Sequence, residues 1–411
     1  MSYSNIINTS EIDKYLTGNP QITFFKSVYR RHTPFYKGVY TYPTRDDVFG
    51  KNIKEEISKS SFDLITNIYL ENRIIGITGA TKIGPNLGNT IIDNISLNTD
   101  LNTQLFQTYG LYMEARAELD NPYVSNKKGT KTCPPIIDNH NGSFTCNNGS
   151  QYNILTMAGG VSGSNTPLTS IASTDIFYTY PDFYFSKDYG NSFPLCALNN
   201  NKIILNIQYR NREKVINDSS STLTSTVNIE YVDLTDDERK RFINNTEHYI
   251  YYDILKISLT NSTDIINHPL RQFFIMGSPT NHALSCSYSE STPISIKDTG
   301  ITDIKVSFNE SDLLESSVDN IAHFTKHNIG KLYQGYGREL GDGSKSLGYT
   351  DSIGVIDFCL DTTNTPSGHI SANTRFLIKT TPSTNNNNIT IFAEVIKFYK
   401  IMGGQIGLLY V

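Results

Sequence analysis

A two-residue alternation of apolar and polar side chains recurs in both halves of the chain and restricts its fold more than any other feature. Every second residue is apolar in residues 203–209, 304–308 and 389–395, and in residues 62–70 apart from Thr66. Because successive side chains of a strand point to opposite faces, each segment is predicted to be a half-buried β-strand, with Glu394 on the exposed side. Long polar connections separate the segments, so the pattern predicts an all-β fold of antiparallel sandwiches.

The composition agrees with strands and turns and argues against a nucleic-acid-binding role. The 411 residues include 26 Tyr and 20 Phe but no Trp, and these aromatic residues favour strands. The net charge is −5, whereas nucleic-acid-binding domains usually present a basic face. The five cysteines form no C-x-x-C pair, and no stretch approaches 18 apolar residues. We therefore expect a protein of a reducing compartment, without a transmembrane segment and without direct contact to nucleic acid.

Three helices are predicted within this pattern. Residues 105–119 and 312–322 carry apolar side chains near helical spacing. The third helix is predicted over 235–245, where Thr-Asp-Asp-Glu forms a capping box. The Thr235 hydroxyl would accept a hydrogen bond from the third helical N–H, and Glu238 would reach back to the N–H of Thr235.

None of the chemistry-bearing clusters has the pattern of an enzyme site. His323 and His327 are four residues apart but lack the Glu of a zincin motif. The acidic residues 236–238 are consecutive at a helix start, so helix capping explains them better than converging catalytic carboxylates. The Gly-rich segments 341–346 and 403–407 fit neither a P-loop nor a dinucleotide fingerprint. We predict no catalytic, cofactor-binding or metal-binding residues.

The N-terminal segment is the most specific part of the sequence. Residues 15–33 read Tyr-Leu-Thr-Gly-Asn-Pro-Gln-Ile-Thr-Phe-Phe-Lys-Ser-Val-Tyr-Arg-Arg-His-Thr. This run closely resembles the opening of the major capsid proteins of nucleocytoplasmic large DNA viruses. The resemblance implies that its motif residues serve assembly; they are Gly18, Asn19, Pro20, Phe24, Phe25, Tyr29, Arg30, Arg31 and His32.

Further segments resemble the same family in the same order. Residues 61–65 resemble its "GDLI" strand, residues 193–198 its "LPLIAL" stretch, and residues 233–242 its "LDTxERxRF" link. The later motif residues are Thr235, Glu238 and Arg241 in the link, Pro366, Ser367 and Gly368 in a "PSG" stretch, and Gly403 and Gly404 near the C-terminus.

The resemblance implies a double jelly roll, two tandem eight-stranded antiparallel sandwiches with a few short helices. The expected division is an N-terminal arm over 1–20, a first jelly roll over 21–234, a linking helix over 235–245 and a second jelly roll over 246–411. A long surface insertion is expected at about 121–173, with short strands of its own. The chain length agrees, since eight strands with their loops need roughly 200 residues or fewer.

The family also implies a function. Its trimers form pseudo-hexagonal capsomers of an icosahedral shell, so the resemblance implies a homotrimer in the virion, without enzymatic activity or cofactor. Such a protein is made and assembled in the host cytoplasm. Neighbouring capsomers and minor capsid proteins beneath the shell would be its partners, and an inner viral membrane could lie close by.

Several alternatives stay open. Residues 98–100 and 199–201 depart from the family's pattern, and its tryptophans are absent. The chain could therefore be a minor capsid paralogue or a transient assembly scaffold of the same fold. Another alternative is a jelly-roll carbohydrate-binding module or a cupin-like enzyme. A cupin metal site needs clustered histidines, whereas the eight histidines here are scattered over 32–369.

Overall fold

Antiparallel β-strands form almost all of the regular structure in the computed structural model of this protein. The structure describes residues 31–57, 62–76, 87–101, 103–113, 116, 136–138, 143–145, 176–199, 202–216, 220–257, 264–266, 268–277, 301–308, 311–317, 353–358, 374–380 and 389–409, together with Asn19 and Phe25. Met1–Pro34 is one unit and Phe35–Val411 is the other.

The described strands all belong to the second unit. In chain order they are β1 (Phe35–Thr41), β2 (Asn52–Ile57), β3 (Leu64–Ile75), β4 (Ile92–Thr99), β5 (Gln104–Tyr109), β6 (Ile136–Asp138), β7 (Ser143–Thr145), β8 (Phe177–Thr179), β9 (Phe193–Pro194), β10 (Ile203–Tyr209), β11 (Thr222–Leu234), β12 (Glu247–Ile257), β13 (Asp264–Ile266), β14 (Leu270–Gly277), β15 (Ile301–Phe308), β16 (Ser311–Ser317), β17 (Ile353–Asp357), β18 (Thr374–Thr380), β19 (Ile389–Met402) and β20 (Gln405–Leu409). The α-helices are Leu87–Thr90 and Asp236–Asn244, and the 3-10 helices are Tyr184–Ser186, Tyr189–Asn191, Leu195–Ala197 and Arg212–Lys214.

The first sandwich consists of a five-stranded and a four-stranded sheet with crossing connections. One has the order β1-β11-β3-β8, with β9 also paired to β3, and the other has the order β2-β10-β4-β5. The predicted alternation holds in β10, where Ile203, Leu205, Ile207 and Tyr209 are buried and Gln208 is exposed. One face of each sheet therefore lines the core, as expected for a jelly roll.

The second sandwich repeats this order strand for strand. Its sheets are β12-β19-β14-β17, with β20 also paired to β19, and β13-β18-β15-β16. All pairings are antiparallel. Ile391, Ala393 and Val395 of β19 pack into its core with Phe273 and Ile275 of β14. The predicted fold class, two tandem eight-stranded jelly rolls with a few short helices, is confirmed.

The helix predicted over 105–119 is wrong in its first five residues, and the helix predicted over 312–322 is wrong throughout its described part. Residues 104–109 form β5, in which Leu105 and Phe106 are both buried, so burial on two faces produced an apparent helical spacing. Only 110–113 and 116 are helical there. Residues 311–317 form β16, whose Leu314 pairs with Val306 of β15. In both cases strand pairing outweighed the local pattern, and in β5 burial on two faces added to it.

The predicted insertion carries one described hairpin, β6 with β7. The rest of 121–173 lies outside the described residues. So do the histidine pair at 323 and 327, the Gly-rich segment 341–346 and residues 318–322 of the third predicted helix.

Candidate functional site

The two sandwiches meet along a buried junction, and this junction is the candidate functional site because it fixes one sandwich on the other. Strand β5 lies at the edge of a first-sandwich sheet, and β12 lies at the edge of a second-sandwich sheet. The two strands pack against each other without a backbone ladder between them. Unpaired backbone groups at a buried edge require other partners.

Side chains of the second sandwich supply those partners. The N–H of Gln107 donates to Oδ1 of Asp253 at 2.7 Å, and the Tyr251 hydroxyl donates to the carbonyl of Leu105. Nζ of Lys397 lies 2.6 Å from Oδ2 of Asp253. Burial raises the pKa of Asp253, and the Lys397 ammonium opposes this effect. The edge of β5 is thus closed by side chains rather than by another strand.

A buried ionic cluster surrounds Glu394 of β19. Its Oε1 accepts hydrogen bonds from the Tyr112 hydroxyl and from Nη1 of Arg116, the latter at 3.2 Å. Nη1 of Arg271 lies 3.4 Å from Oε2. Burial, reinforced by the Glu394 carboxylate, raises the pKa of Tyr112 well above its ordinary value. The sequence pattern placed Glu394 on an exposed face; that prediction is wrong, because the first sandwich covers this face of β19 and leaves the side chain 0% exposed.

A second charged group lies beside this cluster. The Tyr252 hydroxyl donates to Oδ2 of Asp182 at 2.8 Å, and Nζ of Lys187 lies 3.2 Å from the same oxygen. Lys187 and Arg271 both stack on the Tyr252 ring, 5.2 and 5.0 Å from its centroid. Burial by itself would raise the pKa of Asp182, but Lys187, Arg116 and the Tyr252 hydrogen bond outweigh it, and the pKa is lowered.

Aromatic rings fill the remainder of the junction. Tyr399 of β19 stacks on Tyr249 at 4.8 Å and contacts Tyr184, Phe193 and Tyr251. The Tyr184 and Tyr399 hydroxyls are hydrogen-bonded to each other. The first sandwich's hydrophobic core includes Tyr251, Tyr399 and Ile401, which belong to strands of the second sandwich. The two sandwiches therefore share part of one core.

The connecting helix Asp236–Asn244 begins where the sequence predicted, with Thr235 as its N-cap residue. The capping box is not formed, because the Thr235 side chain makes no cap hydrogen bond. Instead, Asp63 at the start of β3 anchors the helix entry. Its carboxylate accepts from the N–H of Leu234 at 2.8 Å and from the Arg239 guanidinium. Asp63, from a distant part of the sequence, thus holds the helix entry through Leu234 and Arg239, in place of a local capping box.

A turn of the second sandwich also contacts the first. Gly403 and Gly404 link β19 to β20 with φ of +61° and +81°, conformations that favour glycine. The Gly404 carbonyl accepts from the N–H of Asn199 at 3.0 Å. A Cβ on Gly404 would lie 2.8 Å from the Cβ of Asn199. Only glycine allows this close approach.

The structure brings together some of the predicted motif residues and leaves others apart. Thr235, Glu238 and Arg241 share the connecting helix, and the Arg241 carbonyl accepts from Asn245 at its end. In the first unit, Asn19 has φ of +52°, Phe25 is 99% exposed, and Arg31 and His32 are exposed. The remaining motif residues lie outside the described residues: Gly18, Pro20, Phe24, Tyr29, Arg30, Pro366, Ser367 and Gly368.

Sequence reasoning missed the charged residues of the junction, although a signal was present. Glu394 lies in Phe-Ala-Glu-Val-Ile, Asp253 in Tyr-Asp-Ile-Leu and Arg271 in Leu-Arg-Gln-Phe-Phe. Each run is too apolar for a strand with one face in water, which predicts burial on both faces. A charge inside such a run must be paired.

The arrangement at the junction is suited to holding a fixed geometry. A rotation of one sandwich on the other would strip Glu394, Asp253 and Asp182 of their partners in a region of low dielectric constant, which is strongly unfavourable. In the part of the chain that the structure describes, no group of three or more His, Cys, Asp and Glu side chains could hold a metal ion. Within the same residues, no helix is long and apolar enough to cross a membrane.

Comparisons with known proteins agree with this geometry. A family model described as "Major capsid protein N-terminus" matches residues 23–253, more than half of the chain. The major capsid protein of Pyramimonas orientalis virus is 24% identical over 63% of this chain and 61% of its own length. That of Paramecium bursaria Chlorella virus 1 is 28% identical over 60% of this chain and 51% of its own length. Capsid protein 1 of Acanthamoeba polyphaga mimivirus is 25% identical over 58% of this chain and 40% of its own. The chain thus spans about half the length of the curated relatives it matches.

Solved structures show the same fold. VP54 of PBCV-1 superposes with a TM-score of 0.66 at 18% identity, covering 95% of this chain and 100% of that one. The Faustovirus major capsid protein superposes with a TM-score of 0.54 at 10% identity, covering 96% and 94%. At these identities the likeness establishes the double jelly roll and no more.

Proposed function

Because this chain belongs to the major capsid protein family of large DNA viruses, we propose that it is a structural, non-enzymatic building block of a viral shell. In this proposal three copies form a pseudo-hexagonal capsomer, to which each copy contributes two similar wedges. The protein resides in the virion capsid and is made and assembled in the host cytoplasm. Its partners are neighbouring capsomers and minor capsid proteins beneath the shell, with an inner membrane close by.

One observation carries this proposal: the shared core and the ionic junction lock two sandwiches of equal strand order into one body. Tyr251, Tyr399 and Ile401 of the second sandwich complete the first sandwich's core. Buried ion pairs contribute little net stability but penalise every arrangement that unpairs them. A shell tile needs a constant angle between its wedges, and the junction is built to hold such an angle.

The proposed division of the chain is an arm over 1–20, a first jelly roll over 21–234, a linking helix over 235–245 and a second jelly roll over 246–411. The sheets support it, since β1 to β11 pair only among themselves, as do β12 to β20, within the described residues. We assign assembly contacts to the N-terminal motif. Replacing Arg31 and His32 by Ala should weaken assembly without lowering the melting temperature.

The test of the capsomer is the mass of the purified chain by light scattering coupled to size exclusion. We expect a stable trimer, three times the 46.1 kDa of one chain. Negative-stain images of that peak should show a three-lobed particle with a hexagonal outline. A chain that stays monomeric at micromolar concentration contradicts the proposal.

Abundance in purified virions separates the roles within the family. A major shell protein would be the most abundant polypeptide by quantitative mass spectrometry. A minor capsid paralogue would be present at a small fraction of that amount, and a transient scaffold would be absent from mature particles. A carbohydrate-binding module would instead bind a glycan array as an isolated protein.

A further inference from the structure

Strand β1 exposes an unusual amount of apolar surface. Phe35 and Tyr36 are 62% and 63% exposed, and Val39 and Tyr40 are 52% and 43% exposed. These residues alternate along one strand, so β1 presents apolar side chains on both of its faces. Among the described strands its single hydrogen-bonded neighbour is β11. It is an edge strand with aromatic side chains on either side.

The apolar surface continues across the outer face of the same sheet. Val39 pairs with Glu230 of β11, and Nζ of Lys37 lies 5.1 Å from the centroid of the Tyr189 ring. Farther along, Tyr180 stacks on Tyr69 of β3 at 5.6 Å. Tyr180 and Tyr189 are themselves 40% and 65% exposed. We call the exposed surface on both sides of this edge strand the tyrosine face. Phe35, Val39, Tyr180 and Tyr189 lie on its outer side, and Tyr36 and Tyr40 lie on the other side of β1.

The charges on the tyrosine face neutralise one another. Lys37, the one charged residue of β1, donates to the Tyr189 hydroxyl at 2.6 Å and lies 3.7 Å from Oε2 of Glu230. On β3, Arg73 pairs with Glu71 at 3.1 Å. The cations Lys37 and Arg73 of this face are therefore both paired. This argues against nucleic acid or an anionic membrane as the partner, because both are bound through unpaired cations.

The edge strand of the opposite sheet shows the contrast. Strand β2 carries Lys54, Glu55 and Glu56, and Glu56 pairs with Lys202. Charged side chains on an edge prevent association with other strands. Strand β1, with one internally neutralised Lys, lacks this protection. One edge of the first sandwich is therefore protected from contact with other chains and the other is suited to it.

The exposed area suits a partner of protein size. A fully exposed aromatic side chain has about 200 Å² of surface, so the five partly exposed aromatic side chains of the face together expose on the order of 500 Å² to solvent. That is near the upper limit for a patch on a monomer, and polar neighbours bring it close to the ~800 Å² that each partner contributes to a standard interface. Tyr is also enriched at the centres of such interfaces.

We infer that the tyrosine face is the surface on which a second copy of this chain docks in the capsomer. The inference rests on the proposed function, which supplies an identical neighbour at equal concentration. The neighbour covers both sides of β1, and the Lys37–Glu230 pair becomes part of the buried contact. Nothing with a strong net charge is needed on the opposing surface.

The first test places a charge in the face. Val39→Lys adds an ammonium to an exposed position, so the folded monomer tolerates it while a docked neighbour would bury it. Leu101→Lys and Met402→Lys are matched controls, because these residues are 75% and 57% exposed elsewhere on the chain. By light scattering, V39K should need at least tenfold more protein than the wild type to form trimers, whereas both controls assemble normally.

The second test does not depend on a variant that weakens assembly. A benzophenone amino acid at position 40, activated by light, should yield a covalent product of two copies, and the same group at position 101 should not. V39K trimers as stable as wild type, with no two-copy product from position 40, would overturn the inference while leaving the trimer intact. A monomeric wild type would overturn both proposals, and a position-40 product with another virion protein would overturn the assignment to a second copy.

Discussion

Asp63 and Arg239 are 176 residues apart in sequence and are joined by two parallel hydrogen bonds, Nε to Oδ1 at 2.7 Å and Nη2 to Oδ2 at 2.8 Å. Asp63 is 7% exposed, and its Oδ2 also accepts from the N–H of Leu234. The pair fixes the direction in which the chain leaves the first sandwich. It lies just outside β3, at the entry to the connecting helix.

We predict that Arg239→Lys destabilises the protein by about 1 kcal/mol. Lysine keeps the charge but cannot make the paired contact, and the figure is reduced for screening because 38% of the Arg239 side chain is exposed. Chemical denaturation measures the change. Lys240→Arg, on the exposed side of the same helix, should leave the free energy of unfolding unchanged. Equal effects for the two variants would show that the Asp63 contact is unimportant.

Glu394→Ala should destabilise the protein by about 3 kcal/mol or more. The Glu394 side chain is 0% exposed, and its carboxylate pairs with Arg116 and Arg271. Without it, two buried guanidinium groups lose a negatively charged partner, which is strongly unfavourable. Hydrogen exchange should rise in β5 and β12 before the rest of the sheets open. Glu56→Ala is the control, since its pair with Lys202 is exposed to solvent and its loss should leave the free energy of unfolding unchanged.

The C-terminal turn allows a graded test with three glycines. Gly407→Ala should be neutral, because nothing lies within 4 Å of the added Cβ and the backbone is ordinary. Gly403→Ala meets no neighbour but has φ of +61°, and we expect a loss of about 1 kcal/mol. Gly404→Ala combines φ of +81° with the contact to Asn199 and should lose about 2 kcal/mol. Thermal denaturation measures the three losses of stability. A different ranking of the variants would contradict this account of the turn.

Acid should weaken the junction through Asp182. Its pKa is lower in the folded protein than the ordinary value of about 3.9, so the carboxylate stabilises the fold above that pH. This stabilisation disappears as the pH falls through the folded value. Asp182→Asn should therefore cost about 1 kcal/mol at pH 6, and the gap to the wild type should narrow as the pH falls below the ordinary value of about 3.9. Asp46→Asn, at an exposed position, is the control and should leave the stability at pH 6 unchanged.

The strands that face water on one side could be predicted from sequence, and those buried on both sides could not. Strand β10 alternates cleanly because its outer face is partly solvated, and the prediction there is confirmed. Strands β5 and β19 lie under the other sandwich, so Phe106 and Glu394 are buried where a two-residue pattern expects exposure. The missing information is tertiary, because the apolar–polar pattern of a strand does not show whether a second sandwich covers its outer face.

The same limit applies to the candidate site. The helix over 236–244 was predictable from its acidic start, but the residue that fastens it, Asp63, belongs to a distant strand. From the sequence, the aromatic rings of the junction could be recognised only through the high Tyr and Phe content of the whole chain. Which rings meet, such as Tyr184 with Tyr399, follows from strand order and register, which a single sequence does not contain.

The shared core has a consequence for synthesis on the ribosome. Tyr399 and Ile401 complete the core of the first sandwich but lie roughly 165 residues after its last strand. At about 5–20 residues per second, the first sandwich waits roughly 8–33 s for them with that end of its core open to water. During this interval Tyr184 and Phe193 are available to any apolar surface nearby. The first sandwich therefore cannot close its core until the strands that carry Tyr399 and Ile401 have been synthesised.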